Sequence, residues 1–453
     1  MGNREPAQYQ FWSRHSFAKD NLIDIWTSFK CNRMWGDVST WELTLPTDEF
    51  ISKWSCIPPQ PTSFIMKWGG IRVIRNGVML IAGPVISAHR TKVGNDDMIT
   101  LSGTSDTYYL STRLIWPYYA YCYKPFGDPD GYERRWTDIS AVLPIYCSYG
   151  TGWAGNLMKD YVNQNIGPIA FNVNDATHME GHPYDRRMSW TYGGAPCYID
   201  IEGDFNDGTS TTYEGRFQTV LDCCKTLSRA QEDPGSVADE VDFWLDNTVD
   251  GALTFRTVTP VDKSGETVFG TKLGNIRSLD YTENRPEVNA MMVGGPEKLA
   301  GGVYTGASSR LFAYTGTTSS VASMATYGMI EGFYDWSGAD NDASLWQIST
   351  DMKVAGRAEV DTKAYDITVK MTLEEGQMYT LMDDYDIGYI VDVQIDDMVY
   401  TDIIREIEIT VDAGGGEILS PTVCSPRRWR PSPPSTYAAY DARRKAIDTG
   451  RFK

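Results

Sequence analysis

The chain has 453 residues, with 60 Asp and Glu against 41 Lys and Arg, a formal net charge of −19 and a pI near 4.7. That length supports roughly three domains, each able to bury a core without metals or disulfides, and the acidic balance excludes a protein that grips nucleic acid, because phosphate binding needs clustered Lys and Arg. No run of about eighteen apolar residues occurs, which excludes a bilayer-spanning helix. The start, Met1-Gly2-Asn3-Arg4-Glu5-Pro6, has neither a basic-then-apolar leader pattern nor a myristoylation context, so synthesis and folding in a cytoplasm are expected.

Eight cysteines at irregular spacings contain no C-x-x-C pair, which excludes a zinc ribbon and a dithiol redox motif and leaves reduced, mostly buried thiols. Fourteen Trp and 27 Tyr fit both a β-rich core with aromatic cross-strand pairs and a protein contact surface.

In chain order, alternation at Trp26 to Lys30 and at Trp41-Glu42-Leu43-Thr44-Leu45-Pro46 predicts half-buried strands. Ile71 to Arg75, Asn76-Gly77 and Val78 to Ile81 predict a β-hairpin, since Asn-Gly supplies the two positive-φ positions of a two-residue turn. A strand at Met98 to Ser102 continues an all-β segment to about residue 110. From Trp116 to Gly215 the sequence is dense in Tyr, Gly, Pro and Asp and reads as a loop-rich insertion with one short helix around Leu157 to Val162. Phe217, Val220, Leu221, Cys224 and Leu227 recur at helical spacing and predict an amphipathic helix over 216–231, ending near Pro234-Gly235.

Strands at Val241 to Leu245, Leu253 to Val258 and Glu287 to Val293 complete a small α+β unit, and the small residues of Gly301 to Ser323 read as an exposed connection. Ala364 to Met371, Gln377 to Leu381, Gly388 to Ile395 and Met398 to Val411 predict a second meander or barrel. After Ser425 the chain becomes Pro-rich and basic, an extended arm outside the folded body. The fold class expected is therefore β-rich and multi-domain (α+β): a first barrel-like domain (1–110), an aromatic insertion (111–215), an α+β domain (216–344), a second barrel-like domain (345–424) and an arm (425–453).

Motifs that carry chemistry are few. His178 and His182 flank Glu180 with Asp175 before them, yet Gly181 and Pro183 break the helix that a metalloprotease pair needs. Asp128-Pro129-Asp130-Gly131 and Asp204-Phe205-Asn206-Asp207-Gly208 lack the bidentate Glu of a calcium loop and read as Asp-Gly turns. No nucleophile elbow and no phosphate-binding loop occurs. A pair of carboxylates spanning a cleft, as in glycosidases, is a matter of spacing in three dimensions that composition leaves open. No catalytic, metal or cofactor site is assigned.

The order of the segments resembles the tail-hub proteins of siphophages, especially the family common in phages of actinobacteria. Near the start the similarity lies in Trp41 to Pro46, Gly70-Ile71 through Asn76-Gly77, and Ile81-Ala82-Gly83-Pro84-Val85. Midway it lies in Phe217 to Leu227, Asp242-Phe243-Trp244, Leu253-Thr254-Phe255, and Asn284-Arg285-Pro286-Glu287-Val288-Asn289 through Gly294-Gly295. Near the end it lies in Tyr385-Asp386-Ile387-Gly388, Ile404 to Ile409 and Pro421-Thr422-Val423. Tyr389 departs from the Asp that often follows the Gly in that family, and Cys424 from its closing Gly.

The resemblance implies a non-enzymatic virion protein at the tail tip: a homotrimer in which two barrel-like domains per chain form a pseudo-sixfold ring. The ring would have a distal tail or tail-tube protein above, fibre or tip proteins below, and DNA passing through without specific binding; the chain itself inserts in no membrane. Asp96, Asp97, Asp383 and Asp384 are candidates for an acidic channel lining, against the alternative that the acids keep the outer surface soluble. Arg427, Arg428, Trp429, Arg430 and Tyr437 are candidates for an assembly interface made by the arm. The competing classes are a tail-tip cell-wall hydrolase and a host-glycan receptor-binding module, for which Tyr118, Tyr119, Tyr121 and Tyr123 would be the exposed aromatics.

Overall fold

Alternating side chains build the first seven strands: β1 (Tyr9–His15), β2 (Ala18–Ile23), β3 (Ser28–Met34), β4 (Thr40–Pro46), β5 (Gly70–Arg75), β6 (Val78–Val93) and β7 (Asp96–Thr104), with helix α1 (Thr47–Lys53) after β4. In β4 the pattern is direct, with Trp41, Leu43 and Leu45 buried and Thr40, Glu42 and Thr44 half-buried. The Asn76-Gly77 hairpin forms as expected, with φ of 50° and 83° at its two central residues. This computed structural model describes residues 7–53, 69–115, 147–170, 186–215, 218–229, 240–295, 312–315, 318–335, 352–353, 356, 359–360, 363, 365–373, 379–396, 398–414 and 416–424.

The segment read as a loop-rich insertion holds more regular structure than its composition promises. It contains β8 (Cys147–Trp153), α2 (Ala154–Asn165), β9 (Ser189–Tyr192), β10 (Ala195–Ile201) and β11 (Ser210–Gly215). β8 is glycine-rich and is held as a strand by its antiparallel partner β11, a pairing that local propensity does not reveal. α2 runs well beyond the short helix predicted, because Ala154, Leu157, Met158, Tyr161, Val162 and Asn165 make one continuous buried stripe.

Helix α3 (Val220–Ser228) is shorter than the predicted 216–231; the Thr219 hydroxyl caps it by accepting from the Asp222 amide. β12 (Asp242–Asp246) and β13 (Leu253–Val258) join β10 and β9 in a sheet of order β12-β13-β10-β9. Leu157, Tyr161, Val220, Leu227, Phe243 and Phe255 are among the residues of the core that this sheet shares with α2 and α3.

The remaining elements are β14 (Val261–Asp262), β15 (Val268–Gly270), β16 (Ile276–Asn284), β17 (Ala290–Gly294), β18 (Phe312–Thr315), α4 (Thr318–Tyr327), β19 (Glu331–Asp335), β20 (Asp366–Leu373), β21 (Tyr389–Ile395), β22 (Met398–Asp412) and β23 (Glu417–Cys424). Two compact units result. One combines Met1–Ser278 with Met371–Thr422, and the other is built on Leu279–Lys370.

In the first unit a hydrogen-bonded path runs β23-β22-β3-β4-β7-β6-β5-β1-β2, and β21 pairs with β22 off that path. The early and late β-rich blocks are thus joined directly, through the ladder from Glu406 opposite Met34 to Asp412 opposite Ser28. The second unit contains a sheet of order β18-β17-β19 over a small core of Met291, Val293, Ala313, Met352 and Val360. No helix among the described residues is long and apolar enough to cross a membrane.

Candidate functional site

Three charged clusters built around buried arginines lie inside the first unit. In β22 the side chains of Ile403, Arg405, Ile407 and Ile409 all fall in the buried phase, so a guanidinium enters the core among isoleucines. It donates to both oxygens of Glu240, at 2.8 and 2.7 Å, and the Trp35 indole N–H donates to the same carboxylate at 3.2 Å. This links β22 to Glu240, two residues before β12, and to the turn after β3. The same turn is held twice more: the Lys225 ammonium of α3 pairs with Asp37, and Asp242 accepts from the Gly36 amide at 2.6 Å and the Phe243 amide at 2.8 Å. Burial pushes the Asp242 carboxyl up to about 7, against the opposing pull of those two amides and of Arg33.

The motif Tyr385-Asp386-Ile387-Gly388 serves the same region. Tyr385 is buried edge-on against Phe269, with ring centroids 5.4 Å apart, and Asp386 pairs with Arg33. Gly388 has φ 82° and lies so close to the Trp35 ring that a Cβ there would overlap it.

The second cluster sits where β1 and β5 meet the turn after β12. Arg14 donates to both oxygens of Asp106, at 2.5 and 2.7 Å, and to the Asn247 side-chain oxygen at 2.8 Å, with its guanidinium 5.0 Å over the Phe17 ring. Arg72 donates to the Asn247 carbonyl, the Phe17 carbonyl and Asp250. In the third cluster Arg75 donates two bonds of 2.8 Å to Glu417 and one of 3.1 Å to the Leu381 carbonyl, and the Tyr9 hydroxyl also donates to Glu417. Burial beside that carboxylate holds the Tyr9 phenol well above its usual range.

Carboxylates engaged in this way accept fixed, charge-assisted hydrogen bonds that tie strands together. Among the described residues no group of three or more His, Cys, Asp or Glu could hold a metal ion. The loop carrying Asp204 to Gly208 is irregular with a bend at Gly208, with φ of 60° at Asn206 and 77° at Gly208, and the Asp207 carboxylate accepts from Thr257 at 2.7 Å.

The channel candidates lie on two separate loops. Asp96 is exposed at the tip of the β6–β7 hairpin, and Asp97 beside it accepts from Arg90 at 2.7 Å and from the Thr47 hydroxyl at 2.7 Å. These bonds hold the Asp97 carboxyl well below the usual carboxylate range, and its charge is largely offset by Arg90 and Lys92. Asp383 is exposed before β21, whereas Asp384 is half-buried and accepts from the Thr380 amide at 2.6 Å. Arg427, Arg428, Trp429, Arg430 and Tyr437 lie outside the described residues, as do Asp128, His178, His182 and the tyrosines at 118, 119, 121 and 123.

The buried arginines were not singled out from the sequence, although a signal existed. Arg405 falls in phase with the core-facing isoleucines of its own strand, which is where a charge requires a buried partner.

Three comparisons bear on kinship. No curated protein matches the chain. Among solved structures it is similar to the 43 kDa tail protein of prophage MuSo2 from Shewanella oneidensis, at 10% identity and TM-score 0.48, covering 93% of this chain and 99% of that one. It is similar also to a tail protein from Neisseria meningitidis MC58, at 11% identity and TM-score 0.46, covering 93% and 98%. A third is prophage tail protein gp18 from Listeria monocytogenes EGD-e, at 10% identity and TM-score 0.45, covering 93% and 95%. The family model described as Siphovirus ReqiPepy6 Gp37-like protein matches residues 148–423, more than half of the chain and a span that includes both Glu240 and Arg405. The chain therefore belongs to the siphovirus ReqiPepy6 Gp37-like family of siphophage tail proteins.

Proposed function

We propose that this tail protein is a structural, non-enzymatic hub at the tail tip. It forms a homotrimer in which barrel-like domains at 1–110 and 345–424 of each chain make a pseudo-sixfold ring. The ring adapts a sixfold tail tube or distal tail protein above to threefold fibre or tip components below, and it surrounds the channel through which DNA passes without being specifically bound. The segments 111–215 and 216–344 clamp the ring or face the host, and the particle is assembled in the host cytoplasm. The arm at 425–453 reaches onto a neighbouring chain, with Arg427, Arg428 and Arg430 pairing with carboxylates and Trp429 and Tyr437 as apolar anchors. Asp96, Asp97, Asp383 and Asp384 contribute to an acidic lining.

The observation that carries this reading is the β3–β22 ladder. It holds the early and late β-rich blocks of one chain in fixed mutual register within one unit, as two repeating positions of a single ring require. Closed cyclic contacts also give every strand edge a partner. The test is the mass of the purified chain in solution, followed by a threefold-averaged image of the particle. A trimer with pairwise burial on the order of 2,000 Å² or more is expected, the range of obligate interfaces. A chain that stays monomeric at high concentration refutes the ring.

A further inference from the structure

The first turn of α2 and the loop after β10 meet on the surface of the first unit. The Ala154 amide donates to the Thr209 carbonyl at 2.9 Å and the Gly155 amide to the Asp207 carbonyl at 3.0 Å. Asn156 and Asn206 bond twice, the Asn156 Nδ2 donating to the Asn206 Oδ1 at 3.0 Å and the Asn206 amide to the Asn156 Oδ1 at 3.3 Å. Asn206 adopts φ 60° in making that contact, and a Cβ on Gly155 would stand 2.9 Å from the Asp207 Cβ. The loop is therefore seated on the helix in one arrangement before any ligand arrives.

Two aromatic rings stand out from this frame. Trp153, the last residue of β8, is 42% exposed, and Phe205 is 63% exposed. Phe205 adds little to the core, yet its ring is positioned: the ammonium of Lys159, a residue 2% exposed, lies 4.8 Å from the ring centroid and donates to the Gly203 carbonyl at 2.6 Å. One face of the ring is held from beneath and the other meets solvent. Burying an ammonium under a ring that stays in water gives the fold little apolar burial in return, so the arrangement points outward, to something that covers the ring.

Polar groups with open valences surround the rings. Asp160 and Asp204 are exposed, and among the described residues none bonds to or pairs with either carboxylate. Partial desolvation and then the Asp204 charge push the Asp160 carboxyl up, which marks the two acids as neighbours. The Asn206 Nδ2 is a further open donor. Trp153, Asn156 and Asp160 follow at spacings of three and four, so the start of the helix sets ring, amide and carboxylate along one side.

We propose that this surface binds a neutral glycan, with Trp153 and Phe205 stacking on sugar rings and Asp160, Asp204 and Asn206 taking the hydroxyls. A pyranose presents a C–H face, which fits an aromatic ring, and hydroxyls that each donate and accept, which fit carboxylates and an amide set side by side. Charge selects against anionic polymers. Residues 200–207 include Asp200, Glu202, Asp204 and Asp207 and neither Lys nor Arg, while Lys159 is committed beneath Phe205 and Arg256 to Glu202 and Asp246, so a phosphate or sulfate polymer is repelled. A cationic peptide would leave the Asn206 donor unmet and bring a second cation towards Lys159. The site lies within one chain and does not depend on the ring proposed above, so a monomer binds as well as a trimer.

The experiment is calorimetric titration of the full chain with hexasaccharides of glucose, mannose, galactose and N-acetylglucosamine, with dextran sulfate and decalysine as charged controls. At least one neutral hexasaccharide is expected to bind with a dissociation constant of about 1 mM or below, and Phe205→Ala and Asp204→Ala are each expected to raise it roughly fivefold or more. Both positions are exposed, so the melting temperature of each variant should match the parent. Failure of every neutral hexasaccharide to bind overturns the proposal, as does binding that both variants retain in full. Preference for decalysine, lost in Asp204→Ala, makes this a cationic-peptide surface and overturns it too. A Phe205→Ala chain that melts well below the parent shows that the ring serves the fold, with the same consequence.

Discussion

Replacing Arg405 by Met tests whether the buried clamp holds β22 in place. Glu240 is 0% exposed and Arg405 2%, and the pair shares two charge-assisted bonds of 2.8 and 2.7 Å. Each such bond contributes about 1.5–3 kcal/mol, and removing the arginine takes both guanidinium bonds from a carboxylate that stays in the core. Breaking a buried pair from one side costs about 3–5 kcal/mol. In a unit of this size each kcal/mol lowers the melting temperature by about 2 °C, so Arg405→Met should melt roughly 6–10 °C below the parent. Glu240→Leu alone should cost a similar amount, because it takes both carboxylate bonds from a guanidinium that stays buried. The double variant removes both charges together and should lie within about 2 kcal/mol of the parent, giving a coupling of about 3 kcal/mol or more. The assay is urea and thermal unfolding of the four proteins of the cycle at pH 7. Single variants costing under about 1 kcal/mol, or strictly additive effects, would refute the clamp.

Asp242 makes stability depend on pH. Its folded pKa of about 7 lies above the unfolded value of 3.8, so its contribution is fully present below 3.8 and is lost as pH rises through 7; Asp242→Asn should gain melting temperature relative to the parent at pH 8 but not at pH 4, and a pH-independent difference would contradict the assignment. Gly388→Ala places a Cβ against the Trp35 ring at φ 82° and should cost more than about 2 kcal/mol in denaturant unfolding, well above the roughly 1 kcal/mol expected for the open turn at Gly77→Ala; equal costs would show that Trp35 moves aside freely. Deleting residues 425–453 should lower the yield of assembled particles while leaving the melting of the remaining chain within about 1 °C, the mark of a segment that acts between chains; unchanged assembly would make the arm a solvated end.

Much of the secondary structure is legible in the sequence, for physical reasons that are local. The Asn76-Gly77 turn is set by backbone sterics, β4 and β22 by alternation, and α3 by its apolar stripe with a capping Thr219. The resemblance of segment order to siphophage tail proteins is likewise carried by residues in the chain, and the family match over 148–423 agrees with it. What only the tertiary structure decides is partnership. Periodicity records which face of a strand is buried but not which strand lies beside it, so the ladder between β3 and β22 is invisible locally, as is the meeting of Arg405 with Glu240, 165 residues away. The glycine-rich β8 shows the same limit, because its extended form depends on β11 being present to receive it.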